Sequence, residues 1–549
     1  MPQRQYITTA IDYPNAAPHM GHVLEKVLAD VVTRWKRLSR DAKKFPKAED
    51  AVRFQIGTDE HGVKIQRTAE KEGVTPKELV DRNVPLFQDL YGRLQISYDA
   101  FVRTTDKKKH WPTVQALWEK LNAAGKLEKR SYTGLYCSGC ERFMTKKDLE
   151  DGKCAIHKAA PEEVTEENYF FTLSKDAAWL KTLLTEGMKK GGYQIVPDFR
   201  ANETLSLIEQ GLEDVSFSRP KSSLAWGIPV PGDEDHVMYV WCDALTNYIS
   251  GLDYFGAGGI SEVARHERTG DVSRLGVEWW DDAEVTHVIG KDISRFHALI
   301  WPAMLKAAGV RTPDRLLIHG FLTSEGEKMS KSLGNVVVPQ DVIEKYGVDP
   351  LRFYLSHEVP VGRDGDFSWE RFEELYDSAL RNKLGNLLNR VLILIQKEGG
   401  EIINIEKFKY GSDDMYWNPG KEWADNSTSY WKVYSEAFSE FKLNSALEIA
   451  VNLMVIGNGR IDDLKPWSLS GPDKIKMLSA FAELLRHISL MLLPFIPETA
   501  QRISRQLNVP YVEKMLEKDF VITDEMKQWG SQKKWKKVGE PEILFPKVE

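Results

Sequence analysis

At 549 residues the chain exceeds what one hydrophobic core organises, so about three or four domains are expected. With 42% hydrophobic and 28% charged residues it has the composition of a soluble protein, and no apolar run approaches the roughly 18 residues of a membrane span. A net charge of −7 excludes indiscriminate nucleic-acid binding, and four cysteines exclude a disulfide scaffold and favour a reducing compartment. The start of the chain lacks the basic-then-apolar layout of a secretion signal.

In chain order, Tyr6 to Ala10 is strand-like and is followed by His19-Met20-Gly21-His22, which leads into a helix over Val23 to Leu28. A second strand, Arg53 to Ile56, ends at Gly57-Thr58-Asp59-Glu60-His61-Gly62, with helical sequence behind it. This βαβ rhythm predicts an open parallel sheet with ligands at the carboxyl ends of its strands. Residues 116–230 break the pattern with a cysteine cluster and turn signals, as an insertion would. Parallel-sheet character returns at Val237 to Trp241 and at Val285 to Gly290. Lys328-Met329-Ser330-Lys331-Ser332 then sits between Gly326 and Gly334 on a short loop. From about 372 onward the apolar period is helical, clearest over Leu384 to Ile395 and Leu478 to Leu493, with an irregular connection at 396–430.

Three constellations bear chemistry. Cys137-x-x-Cys140 and Cys154-x-x-His157 offer three thiolates and an imidazole on two tight turns, the set that tetrahedral zinc prefers. Four protein ligands close such a site, so the one zinc ion would be structural. His19 and His22 flank Gly21 at a helix N-terminus, where imidazole N–H groups, backbone amides and the helix dipole favour an anion. Lys328 and Lys331 on a glycine-flanked loop can close over a phosphate chain. In this order the two words point to an enzyme that splits ATP between its α and β phosphates. Finally, Asp59 at a strand's carboxyl end suits an α-ammonium. Trp241, Ala244, Tyr248, Ile293 and His297, with Ile11 and Tyr13, offer an apolar slot with a few polar handles.

Together these segments resemble the class I aminoacyl-tRNA synthetases, and within them the methionyl-tRNA synthetases. The likeness runs through Tyr13 to His22, Gly57 to Gly62, Tyr239 to Leu245, Ile289 to Ile293, Phe296-His297 and the lysine word. It implies an α/β fold: a Rossmann-like catalytic domain (1–115 and 231–320) split by a zinc-binding insertion (116–230). A linking domain with the lysine loop (321–371) and an all-α anticodon-binding bundle (372–549) would follow. It implies methionine, ATP with Mg2+, and initiator and elongator tRNA(Met) as partners, with no membrane. His19, Gly21, His22, Lys328 and Lys331 would bind ATP, with the histidines and lysines catalytic. Ile11, Tyr13, Asp59, Trp241, Ala244, Tyr248, Ile293 and His297 would bind methionine. Asn386 and Arg390 would read the anticodon, and Trp467 would stack on one of its bases.

The chain departs from the family pattern in places. It carries a single knuckle completed by His157, Leu135 replaces a tryptophan often found before the knuckle, and Arg460 stands where an aromatic is common. Its end at Glu549, without a further RNA-binding domain, favours a monomer, and a cytoplasmic location is expected separately. The rivals fit less well. Synthetases for leucine, isoleucine or valine need a larger insertion for editing, and the cysteinyl enzyme needs an open zinc. A nucleotidylyltransferase has no use for a long helical C-terminal half. A non-catalytic RNA-binding descendant has no physical need for intact histidines and lysines.

Overall fold

The computed structural model describes residues 3–137, 142–144, 149–155, 158–190, 192–259, 263–266, 270–329, 335–403 and 430–548. They divide into two compact units, Gln3–Pro18 with Val52–His319, and His19–Ala51 with Gly320–Glu549.

The first unit is built on a six-stranded sheet: β1 (Arg4–Thr9), β2 (Val52–Thr58), β3 (Ala100–Arg103), β4 (Gln194–Val196), β5 (Ala283–Gly290) and β6 (Arg315–His319). All neighbours are parallel, in the order β3-β2-β1-β5-β6-β4. β1 is central, and Tyr6 to Thr9 are all buried, as expected of a strand covered on both faces. The order reverses between β1 and β5. That reversal opens a crevice at the carboxyl ends, where ligands of such sheets bind. β4 comes from the stretch 116–230, so that segment loops away from the sheet and also returns to its edge.

The reading of Val237 to Trp241 as a strand of this sheet is corrected. Asp233–Met238 is a strand, but it pairs antiparallel with Ser218–Pro220 and Pro229–Val230 in a separate small sheet. Tyr239 then caps a helix over Val240–Ser250. A short apolar run is compatible with either a buried strand or a buried helix, and only its neighbours decide which.

The second unit starts with the helix Met20–Leu38, whose Asp30 is fully buried between Arg34 and Arg352, each 2.7 Å away. Arg352 also donates to the carbonyls of Phe495 and Pro494 at 2.7 and 3.2 Å, so no buried charge is left without a partner there. The expected helical stretches are present as Tyr376–Lys397, whose first ten residues form wide π turns, and as Gly471–Leu492. Tyr430–Ser439, Leu443–Leu464 and Pro497–Gln506 are further α-helices of the C-terminal region. Most of the irregular connection, 404–429, lies outside the described residues. Among the described residues, no helix is long and apolar enough to cross a membrane.

Candidate active site

The crevice of the first unit is framed by the segments that leave β1, β2 and β5. The β1 and β2 segments are laced together: the Asp12 amide donates to the Gly57 carbonyl at 2.9 Å, and the Asp59 amide to the Asp12 carbonyl at 2.8 Å. Gly57 is required here, because a Cβ would lie 2.3 Å from the Val102 carbonyl on β3. Tyr13 is fixed by its hydroxyl, which donates to the His61 carbonyl at 2.9 Å. Asp59 is thereby held buried at the carboxyl end of β2.

The far wall is the Val240–Ser250 helix. Trp241, Ala244, Leu245 and Tyr248 follow the i, i+3, i+4, i+7 spacing of one helical face. Trp241 lies flat on Phe296, with centroids 3.5 Å apart and planes 7° apart. A cavity of about 190 Å³ remains between these elements. It is lined by Ile11, Tyr13, Asp59, Trp241, Ala244, Tyr248, Ile293 and His297, so every expected methionine-binding residue converges on it. Its volume is below the roughly 300–1,000 Å³ of sites for drug-sized ligands.

The polar end of the slot has a defined proton arrangement. His297 Nδ1 is 3.0 Å from the Ile293 carbonyl, which can only accept, so Nδ1 carries the proton. In the neutral ring Nε2 then accepts, and the Tyr248 hydroxyl donates to it at 2.6 Å. Behind the slot, Asp243 is fully buried between His61 and His110, at 2.6 Å from each. Burial pushes the Asp243 carboxyl up, but the two imidazoles outweigh it and hold it below the usual carboxylate range.

Sequence reasoning missed Lys64 and Asn247, which also line the cavity, and gave no site role to Phe296, which backs Trp241. Leu245, which also lines the cavity, shares the helical face of Trp241 and Tyr248, a spacing hidden when Val237 to Trp241 is read as a strand.

The histidine and lysine words fall in the second unit. His19 is the N-cap of the Met20–Leu38 helix, and its Nδ1 accepts the Gly21 amide at 3.1 Å. His22 Nδ1 accepts the His19 amide, also at 3.1 Å, and the two rings stack with centroids 3.8 Å apart. With Nδ1 accepting in both, a neutral ring at either position would carry its proton on Nε2, at the positive end of a 19-residue helix. The first turn holds no acidic side chain to compete with an anion. Gly21 leaves room for this stack, since a Cβ would sit 3.0 Å from His19 Cε1. Glu327–Lys328 pairs antiparallel with Leu322–Ser324 across a turn in which Glu325 and Gly326 take positive φ of 54° and 77°. The Lys328 side chain and Lys331 lie outside the described residues.

Of the expected zinc ligands, Cys137 and Cys154 are described, while Cys140 and His157 lie outside the described residues. Cys137 and Cys154 are buried in one small cluster with Met144. The Lys158 amide donates to the Cys154 carbonyl at 2.8 Å. This half of the donor set fits zinc. Among the described residues no group of three metal-ligating side chains is assembled.

In the helical region, Asn386 is exposed at the start of the helix Asn386–Lys397, and Arg390 lies one turn on. The Arg390 guanidinium is 5.8 Å from the centroid of the Trp467 ring and is paired with Asp462. Trp467 is 49% exposed, unusual for so large an apolar ring, and follows Lys465, whose φ of 43° turns the chain out of the preceding helix.

The chain matches the family model of tRNA synthetases class I (M) over residues 5–148 and 144–392. It is 38% identical to the methionine–tRNA ligase of Caldanaerobacter subterraneus subsp. tengcongensis, covering 99% of this chain and 79% of that one. It is also 38% identical to that of Brucella suis biovar 1, covering 92% of each. The structure of Mycobacterium tuberculosis methionyl-tRNA synthetase with methionyl-adenylate superposes with a TM-score of 0.83 at 34% identity, covering 99% of this chain and all of that one. The apo form of the same enzyme superposes with a TM-score of 0.77 at 31% identity, covering 100% and 99%. A parallel sheet with a ligand-sized slot at its switch point, matched at these identities over nearly the whole length, places this chain in the methionine group of class I tRNA synthetases.

Proposed function

We propose that the protein is a methionine–tRNA ligase that charges initiator and elongator tRNA(Met) in two steps. The methionine carboxylate attacks the α-phosphorus of ATP, forming the mixed anhydride of methionyl-adenylate as the bond to pyrophosphate breaks. The terminal adenosine hydroxyl of the tRNA then attacks the adenylate carbonyl, forming the methionyl ester and releasing AMP.

The observation that carries this reading is the slot of about 190 Å³ with Asp59 and Lys64 among its lining residues and an aromatic wall of Trp241 and Tyr248. Asp59 takes the ammonium group, leaving the carboxylate to react. The thioether, soft and polarizable, lies against Trp241, Tyr248 and His297, while Ile11, Tyr13, Ala244 and Ile293 set the shape. Shape discriminates less sharply than hydrogen bonding, so close isosteres of methionine are rejected only modestly. His19 and His22 donate to the phosphates as charge builds, and Gly21 admits the nucleotide. Lys328 and Lys331 neutralise the departing pyrophosphate. Mg2+ bound with ATP supplies further neutralisation.

Residues 1–115 and 231–320 carry the chemistry, and 116–230 hold a structural zinc on Cys137, Cys140, Cys154 and His157. Residues 321–371 carry the lysine loop, and in 372–549 Asn386, Arg390 and Trp467 read the anticodon. The enzyme is further proposed to be a cytoplasmic monomer, the oligomeric state being open to light scattering. ATP–pyrophosphate exchange measured with each proteinogenic amino acid tests the central reading. Stimulation by methionine alone is expected, and stimulation by another amino acid instead overturns it.

A further inference from the structure

Behind the Tyr248 ring lies a buried side chain that neither binding nor chemistry has yet used. His287, on β5, is fully buried, and its ring stacks on that of Tyr248 with centroids 4.0 Å apart and planes 26° apart. Its orientation and tautomer are both fixed. The Trp301 indole N–H, which can only donate, points at Nε2 from 3.2 Å. The ring proton therefore sits on Nδ1, which donates to the Thr8 hydroxyl 2.7 Å away. Thr8 and His287 are direct register partners on β1 and β5, so this plate is anchored in the two central strands. Burial, together with nearby His297, keeps the imidazole neutral by holding its pKa well below the usual value.

Tyr248 needs such a plate. Its hydroxyl donates to His297 Nε2 at 2.6 Å, and its carbonyl accepts from the Tyr6 hydroxyl at 3.0 Å. The hydroxyl oxygen lies on the axis about which the phenol ring turns, so a hydrogen bond to it restrains the tip and leaves the ring able to rock. That torsion is intrinsically broad for tyrosine. A flat partner against one face removes the rocking and fixes how far the other edge projects into the slot.

From this we infer that His287 is a positioning residue for methionine selection, setting the tilt of the Tyr248 ring and so the width of the slot, without touching the ligand. The inference rests on the reading that the slot holds the methionine side chain. It is tested by ATP–pyrophosphate exchange per titrated active site, with methionine and with norleucine, a chain of equal length lacking sulfur. His287→Leu is expected to raise KM for methionine about tenfold and to lower the preference over norleucine severalfold, with kcat changed by no more than about twofold. His287→Phe keeps a flat plate and is expected to restore most of that preference.

An unchanged KM and preference in folded His287→Leu overturns the inference, as does His287→Phe performing no better than His287→Leu. If His287→Leu fails to fold, Thr8→Val, which removes only the partner of Nδ1–H, carries the test. It is expected to lower the preference about twofold or more, and an unchanged preference overturns the inference. Tyr248→Leu separates the two levels. If it too leaves KM and preference unchanged, the slot reading has failed; if only Tyr248→Leu acts, the role of His287 alone has failed.

Discussion

Asp243 grips His61: Oδ2 lies 2.6 Å from Nδ1, with both side chains buried. Through this contact the Val240–Ser250 helix, which bears Trp241 and Tyr248, is tied to the loop that bears Asp59. The other oxygen of Asp243 holds His110 at 2.6 Å, and His110 in turn lies 2.7 Å from the Ser250 hydroxyl. Two walls of one small slot are thus locked by a single carboxylate. Asp243→Asn is expected to lower stability by about 3 kcal/mol, since a buried charged contact is broken on one side only. Urea unfolding reads the loss, and KM for methionine should rise with it. A variant as stable as the parent would show that the cluster is not the lock described.

His22→Ala is expected to slow adenylate formation about 100-fold while changing methionine affinity by less than about twofold, because the imidazole N–H matters most as charge builds on the phosphates. Single-turnover formation of adenylate and equilibrium binding of methionine provide the two numbers. Equal losses in both would sink the transition-state role.

Trp467 and Arg390 are expected to act on tRNA alone. Base stacking on an aromatic ring contributes about 1–3 kcal/mol, so Trp467→Ala should raise KM for tRNA about tenfold or more. Methionine-dependent pyrophosphate exchange should stay at the parent level. A fall in exchange would mean that this ring serves the chemistry and not recognition.

A pH-dependent loss of stability is expected from the helical region. His487 is buried, accepts the Trp431 indole N–H at Nδ1 (2.9 Å) and faces Glu483, 3.4 Å from Nε2. Burial and the neighbouring Arg486 lower its pKa from 6.5 to about 4. A depressed histidine pKa means that the unfolded chain takes up the proton first. The stability contributed is therefore present above pH 6.5 and is lost as pH falls from 6.5 toward 4. This group should remove about 2 kcal/mol between pH 7 and pH 5. Denaturant midpoints at the two pH values check it, and His487→Phe should flatten that part of the profile.

The two buried cysteines of the knuckle give a metal prediction. Elemental analysis of purified protein should find a single zinc ion per chain, and Cys154→Ser should abolish it. Full zinc content in that variant would remove Cys154 from the ligand set.

Local chemistry was legible in the sequence. A histidine pair around Gly21 at a helix start announces itself because N-cap geometry depends on four consecutive residues, and the structure places His19 and His22 in that cap. The strands around Tyr6, Phe54 and Val285 were legible for a similar reason: burial on both faces demands an apolar run that any reader can see. Where the same apolar signal ran through Val237 to Trp241 it misled. Hydrophobicity reports burial, and a buried helix is as apolar as a buried strand.

The slot itself belongs to another level. Ile11, Asp59, Trp241 and His297 come from four separate segments, and resemblance named them without showing why they meet. The reason is the strand order β3-β2-β1-β5-β6-β4, which brings the ends of β1, β2 and β5 to one crevice. Asp243 lies inside the matching segment Tyr239 to Leu245, yet neither it nor His287 was given a role by pattern or by resemblance. A buried polar side chain takes its role from what it touches, and Thr8, Trp301, Tyr248, His61 and His110 reach them only through tertiary packing. The sequence by itself determined the histidine cap of the Met20–Leu38 helix and the central strands around Tyr6, Phe54 and Val285, because these are written in neighbouring residues. Only the tertiary structure decided which side chains face one another across the slot, because those contacts are fixed by sheet order and strand register.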